Sequence, residues 1–162
     1  MIIIYHRALK EAQLQIVDSF RVGVWLNVEN PTPEELDKLA FELSLDRDLL
    51  ADALDPFEVP RVESENGTVY IFTRIPWRED KQILTIPVLI DMGAAFVLTF
   101  SFKPLPLWDR FIFGGVEFFT TQKTKYFFQK FTEIIRSYGA LLNDIGRQVR
   151  RASVSIEKIS NK

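Results

Sequence analysis

The strongest constraint on this chain lies at its C-terminal end. From about Thr121 to Lys162 there is no proline, and only Gly139 and Gly146 weaken helix propensity. Apolar residues fall at Phe127, Phe131, Ile134, Tyr138, Leu141, Ile145, Val149, Ala152, Ile156 and Ile159. Steps of three and four residues alternate, with one extra four-residue step at Ile145–Val149, which makes a heptad-like stripe on one helix face. Phe128, Ile135 and Leu142 lie beside the stripe and widen it in its first half. A helix of about 40 residues rises about 60 Å. That exceeds the compact domain before it, so part of the helix must project and seek a partner. The pattern still runs at Ser160-Asn161-Lys162, with no glycine cap, so the chain reads as cut through a longer helix.

The preceding residues alternate between strand and helix signals. Ile2–Tyr5, Ala12–Val17 and Val22–Val28 read as strands, with Leu14 and Ile16 on one face of the second and Val22, Val24, Leu26 and Val28 on one side of the third. Thr32-Pro33-Glu34-Glu35 opens a helix: Thr32 and Glu35 form a capping box, and Pro33 fits the first helical position. Leu36, Leu39, Ala40 and Leu43 are its buried stripe. Arg47–Leu54 is a second short helix with Asp46 as its cap, ended by Asp55-Pro56. Four strands come next, at Arg61–Ser64, Thr68–Trp77, Ile83–Asp91 and Ala94–Phe102, with a hairpin at Glu65-Asn66-Gly67 and a charged turn at Arg78-Glu79-Asp80-Lys81. Their nearly continuous apolar character predicts burial on both sheet faces. Leu107–Phe113 reads as a short helix stopped by Gly114-Gly115. The organisation is an α/β domain over residues 1–120 and a helical arm over 121–162.

Composition narrows the chemistry. Twenty Lys+Arg against 22 Asp+Glu leave a net charge of −2, which gives no global attraction to nucleic acid or anionic lipid. No cysteine is present, which removes disulfides, thiolate nucleophiles and Cys-based zinc sites. The single histidine, His6, excludes multi-histidine centres and reads as structural or exposed. No G-x-S-x-G elbow and no glycine-rich phosphate loop occurs, so no enzyme can be drawn. Ile83–Phe102 is the longest strongly apolar stretch, but Asp91 interrupts it and no membrane span results.

Charge is nevertheless unevenly spread. Asp46, Asp48, Asp52, Asp55 and Glu58 cluster, and Asp48 and Asp52 share a helix face. Hard oxygen donors suit Mg²⁺ or Ca²⁺, yet spacing alone favours a solvated acidic face over a metal site. Arg147, Arg150, Arg151 and Lys158 make the far end of the arm basic, read as a solvated face. Phe111, Phe113, Phe118, Phe119, Phe127, Phe128 and Phe131, half of the 14 phenylalanines, read as core between helix and sheet.

The order of short motifs carries a resemblance. Trp25-Leu26-Asn27 precedes the Pro-Thr-Pro-Glu-Glu helix. Leu49-Leu50-Ala51-Asp52-Ala53-Leu54-Asp55 is next, then Val59-Pro60-Arg61-Val62-Glu63, the Asn-Gly turn and Val69-Tyr70-Ile71-Phe72. Strands through Ile86-Pro87-Val88 and Phe96-Val97-Leu98-Thr99-Phe100 lead to the long, aromatic-rooted helix. Together these resemble the N-terminal cytosolic domain of CorA-type divalent-cation transporters, over essentially the whole chain. The resemblance implies an α/β/α sandwich with a mixed, largely buried sheet and a truncated stalk helix. It also implies a funnel-shaped pentamer at the cytoplasmic face of the cell membrane, anchored by two C-terminal membrane helices with a Gly-Asn-Met signature. Neither the helices nor the signature lies in this sequence. Mg²⁺ bound between neighbouring cytosolic domains would hold the pore closed.

By the same resemblance Asp52 matches the sensing carboxylate of the second short helix, and Glu133 an acidic position early in the long helix. Ala51 stands where well-known members carry a further acidic residue. The implied function is the regulatory domain of a Mg²⁺/Co²⁺ transporter, with Mg²⁺ or another divalent ion as a weak regulatory ligand. The alternatives are the cytosolic domain of a zinc-exporting relative and a stand-alone module whose helix binds a partner protein. By itself the chain is expected to be a monomer or small oligomer.

Overall fold

The computed structural model describes residues 1–80 and 82–160, with side-chain surroundings given up to residue 154. Lys81, Ile156, Lys158 and Ile159, which the sequence assigns to the charged turn, the apolar stripe and the basic arm, have side chains outside the described residues.

Among the described residues seven strands form one sheet: β1 (Ile2–His6), β2 (Gln15–Ile16), β3 (Val24–Glu29), β4 (Arg61–Glu65), β5 (Thr68–Glu79), β6 (Gln82–Met92) and β7 (Phe96–Ser101). Their spatial order is β2-β1-β3-β7-β6-β5-β4. Only β3 and β7 pair in parallel, Val24 beside Phe96 through Glu29 beside Ser101, and every other pairing is antiparallel. Helices α1 (Pro33–Leu43) and α2 (Arg47–Asp52) cover one face, while α3 (Asp109–Ile112) and α4 (Lys123–Ser160) cover the other. The expected α/β/α sandwich with a mixed sheet and a long C-terminal helix is therefore the fold.

Local sequence explains the elements. Thr32 Oγ1 accepts from the Glu35 amide at 3.2 Å and Glu35 Oε2 accepts from the Thr32 amide at 3.0 Å, closing the capping box of α1. Asp46 Oδ1 caps α2 by accepting from the amides of Asp48 and Leu49. Asn66 and Gly67 both take positive φ, 50° and 77°, as a two-residue hairpin turn between β4 and β5 requires.

Alternation along the central strands builds two cores. Val24, Leu26 and Val28 of β3 join Phe96, Leu98 and Phe100 of β7 and Leu36, Leu39 and Leu50 of the short helices. Trp25 points the other way, into a cluster with Tyr5, Trp108, Phe111, Phe118, Tyr126, Phe127 and Ile134. Trp25 stacks on Tyr5 at 4.7 Å and meets Phe111, Phe118 and Tyr126 edge-on. Each such pair adds about 0.5–1.5 kcal/mol beyond area burial. Beneath the rings runs a polar chain: Trp25 Nε1 donates to Thr99 Oγ1 at 2.8 Å, Thr99 to Asn27 Oδ1, and Asn27 to Glu29, which also accepts from the Leu105 amide. This chain ties the loop before α3 to the centre of the sheet.

Several expectations need correction. The second strand shrinks to Gln15–Ile16 and Ile16 is exposed, because only Tyr5 and His6 pair with it. Val22 is exposed rather than core, since Gly23 at φ 81° turns the chain before β3 begins. Ile83 and Leu84 are exposed where the β5–β6 hairpin outruns the helices. Leu107–Phe113 divides into a 3₁₀ turn at Pro106–Trp108 and the short α3. Of the phenylalanine cluster, Phe111, Phe118 and Phe127 are buried and Phe131 packs against them, but Phe113 and Phe128 face outward.

Asp91 departs most from ordinary burial. It sits in β6 between Tyr70 and Leu98, on the face beneath α1 and α2, fully buried with neither carboxylate oxygen hydrogen-bonded among the described residues. Burial pushes its carboxyl well above the usual range.

Thr32→Ala should cost about 1 kcal/mol of unfolding free energy in urea titrations, with no change in slope. For Asp91, the folded chain retains a proton that the unfolded chain releases above about pH 4, so folding loses stability as pH rises from there. Asp91→Asn lacks this dependence. Its melting temperature relative to the parent should therefore climb between about pH 4 and pH 7; a pH-independent difference would contradict a neutral buried Asp91.

Candidate functional site

The acidic cluster is organised by Arg61, which sequence reasoning had not singled out as its partner. Arg61 opens edge strand β4, and its guanidinium lies 3.9 Å from the Phe72 ring centroid. Its Nη2 donates to Asp52 Oδ2 at 2.6 Å, while Nη1 and Nε reach Glu58 and Glu63. Three carboxylates thus share one cation, leaving local charge near −2. The loop carrying Glu58 is held by Arg74, which donates to the carbonyls of Glu58 and Pro56 at 2.6 and 3.0 Å. Asp52 remains half exposed. Phe57 and Val59, in the loop between α2 and β4, are exposed. Only nine residues separate Arg61 from Asp52, but it is the pairing of β4 with β5 that sets it beside Phe72.

The rest of the predicted acidic group has separate tasks. Asp46 is spent on the α2 cap and Asp55 on a turn, accepting from the Phe57 amide at 2.8 Å. Asp48 is exposed. Among the described residues no three carboxylates or histidines gather as a metal cage. The donor set at Asp52 is hard oxygen, which suits Mg²⁺ with most of its waters retained and one or two carboxylates bound.

Glu133 is not brought to Asp52. It lies on α4, on the opposite face of the sheet, where Arg110 Nη1 contacts both of its oxygens at 3.0 Å and Arg136 approaches to 3.7 Å. An ion taking both residues would have to be shared between two copies of the chain. His6 is buried with Nδ1 3.0 Å from Glu11 Oε2. Arg147 of the basic arm pairs with Asp144, which also holds Arg78 of β5.

One further group was missed altogether. Lys130 of α4 is fully buried, its Nζ 3.3 Å from the Trp25 ring centroid and within 4.1 Å of those of Trp108 and Phe111, with Tyr126 at 5.0 Å. Burial pulls its ammonium well below the ordinary lysine range, and the charge of Glu133 opposes that pull. Its position beside Phe127 and Phe131 on the inward stripe was the one available sign.

Along α4 the inward side carries Tyr126, Phe127, Phe131, Ile134 and Tyr138, and the Tyr138 hydroxyl donates to the Arg74 carbonyl at 3.0 Å. Phe128, Ile135 and Leu142 are 63%, 68% and 66% exposed, and Val149 continues their line at the same spacing. Beyond Asp144 the helix leaves the sheet, with Arg147, Val149 and Arg150 exposed. Among the described residues no helix is long and apolar enough to cross a membrane.

Known proteins place this arrangement. The structure superposes on the soluble domain of CorA from Methanocaldococcus jannaschii with a TM-score of 0.81 and 21% identity, covering 96% of this chain and 64% of that one. On the complete CorA magnesium transporter of the same organism the TM-score is 0.78 at 21% identity, over 96% of this chain and 50% of that one. Full-length CmaX matches at a TM-score of 0.69 and 15% identity, over 92% of this chain and 49% of that chain. This chain therefore spans about half of the full-length proteins it resembles, and at these identities the likeness is one of fold. No curated protein matches the sequence. The family model described as CorA-like Mg²⁺ transporter protein matches residues 21–162, nearly the whole sequence, and the chain belongs to that family.

Proposed function

We propose that this chain is the cytosolic, divalent-cation-sensing part of a CorA-like Mg²⁺ transporter, acting at the cytoplasmic face of the membrane and attached through its long helix. The observation that carries this reading is the three-to-one excess of carboxylate over guanidinium at Arg61, set on an exposed sheet edge. Asp52 is the primary ligand, with Arg61 as an internal counter-ion that a divalent cation must displace. Mg²⁺ would supply the positive charge that lets two acidic surfaces approach. Its loss restores repulsion and biases the copies apart, so occupancy is read out as subunit packing. Glu133 is a weaker candidate, because Arg110 already satisfies it. This reading assigns the chain no catalytic role.

The exposed line of Phe128, Ile135, Leu142 and Val149 supports self-association along α4, as a pentamer in the longer protein. Such a line at seven-residue spacing is the seam that helices use to pack on one another. The zinc-exporting alternative uses the same surface with a different ion, and competition between Mg²⁺, Co²⁺ and Zn²⁺ separates them.

Calorimetric titration with Mg²⁺ tests the sensing site. Asp52→Asn should abolish or strongly weaken the response. Arg61→Met should tighten binding about fivefold, the equivalent of roughly 1 kcal/mol for a partly exposed ion pair. No heat from any of the three proteins would sink the sensing role. In sedimentation experiments, Leu142→Glu should raise the concentration needed for self-association at least about tenfold, given the ~1.5–3 kcal/mol of a buried leucine. Unchanged association, or none in the parent, would remove the seam.

A further inference from the structure

Helix α4 buries a lysine and exposes a phenylalanine. Phe128 comes one position after Phe127, so it lies roughly 100° further around the helix. A rotation of about that size would bring Phe128, Ile135 and Leu142 to the sheet beside Phe127, Phe131 and Tyr138, and carry Lys130 outward. That face is at least as apolar as the one in use, and it carries no charge. Area burial alone would select it, since each fully buried large apolar side chain contributes about 1.5–3 kcal/mol. The observed docking instead places Lys130 at 0% exposure and leaves Phe128, Ile135 and Leu142 each more than 60% exposed. Something other than hydrophobic area fixes the rotation.

The rings around Lys130 supply it. Trp25 comes from the sheet, Trp108 and Phe111 from the segment before α4, and Tyr126 from α4 itself. An ammonium fits among these ring faces at only one rotation of the helix. One turn on, Glu133 meets Arg110, and about two turns on the Tyr138 hydroxyl meets the Arg74 carbonyl, both consistent with that same rotation. The Arg110 pair is the more adaptable, since Arg110 is partly exposed and also donates to the Gly115 carbonyl; the Tyr138 bond to the Arg74 backbone supports the same rotation as the cage. The cage rings are fully buried.

We propose that Lys130, seated in the cage of Trp25, Trp108, Phe111 and Tyr126, is the positioning residue that sets the rotation of α4 and so keeps the Phe128–Ile135–Leu142 flank outside. Buried polar groups have this specifying role in coiled coils, where one of them fixes register at a cost in stability. The role holds whatever the flank meets, so it stands apart from the self-association reading above.

The absence of cysteine makes the test direct, because one introduced thiol is the only one in the chain. Ile135→Cys places it on the exposed flank, and Ile134→Cys on the inward side, where Ile134 is buried. With labelling run below the concentration at which the chain self-associates, as checked by sedimentation, the first thiol should label fast and the second slowly in the parent background. Adding Lys130→Met should slow labelling of the first at least about tenfold and speed the second, while the protein still melts cooperatively. Adding Leu142→Glu to Lys130→Met and Ile135→Cys should return labelling toward the parent rate, because the alternative face then buries a charge. A merely structural loss would not be rescued in this way. Unchanged labelling in folded Lys130→Met protein, failure of that variant to fold, or absence of rescue would each overturn the assignment.

Discussion

The pairing of β3 with β7 governs this molecule. Two strands running parallel side by side cannot be joined by a tight turn, and they need cover on both faces. Everything between them in sequence is the crossover: α1 and α2 lie on one face, and β4, β5 and β6 extend the sheet antiparallel before the chain returns as β7. The second face is left to the residues after β7. Its cover is the segment of Trp108 and Phe111 and then α4, so the long helix is the closing layer of the domain before it becomes an arm.

The two faces are sealed in different ways. Beneath α1 and α2 the core mixes aliphatic side chains with Tyr70, Phe72, Phe96 and Phe100, and its buried Asp91 has no hydrogen-bond partner among the described residues, so burial raises its carboxyl pKa. Beneath α4 the core is aromatic and encloses an ammonium. Ring faces surround the Lys130 amine on one side of this sheet, while on the other the buried, unpartnered Asp91 favours its protonated form. The regulatory surface we assign to Asp52 and Arg61 sits at the far edge of the sheet, where Arg61 lies against Phe72 at the rim of the core under α1 and α2.

Much of this was legible in the residues. The capping box at Thr32, the Asp46 cap, the Asn66-Gly67 hairpin and the inward stripe of α4 all arise from local chemistry that tertiary contacts do not override. Asp52 was found through the order of motifs rather than by composition. The illegible features depend on partners distant in sequence. Phe113 and Phe128 look like core residues until the rotation of α4 is known. Arg61 is one arginine among many until β4 pairs with β5 and sets it over Phe72. Lys130 would be read as a surface charge, because periodicity cannot tell which of two overlapping apolar stripes will face the sheet. Val22 failed for a local reason: Gly23 turns the chain one residue too early for the alternation to include it.

Helix α4 is 38 residues long, about 57 Å at the standard rise, and beyond Asp144, which pairs with Arg78 of β5, residues 147–154 are exposed. It is a beam clamped at one end. A tilt of roughly 5° at the aromatic clamp, about 45 Å from Ser160, would carry the free end about 4 Å sideways. The packing around Lys130 therefore acts as a fulcrum, and shifts too small to disturb the sheet are enlarged at the other end of the rod.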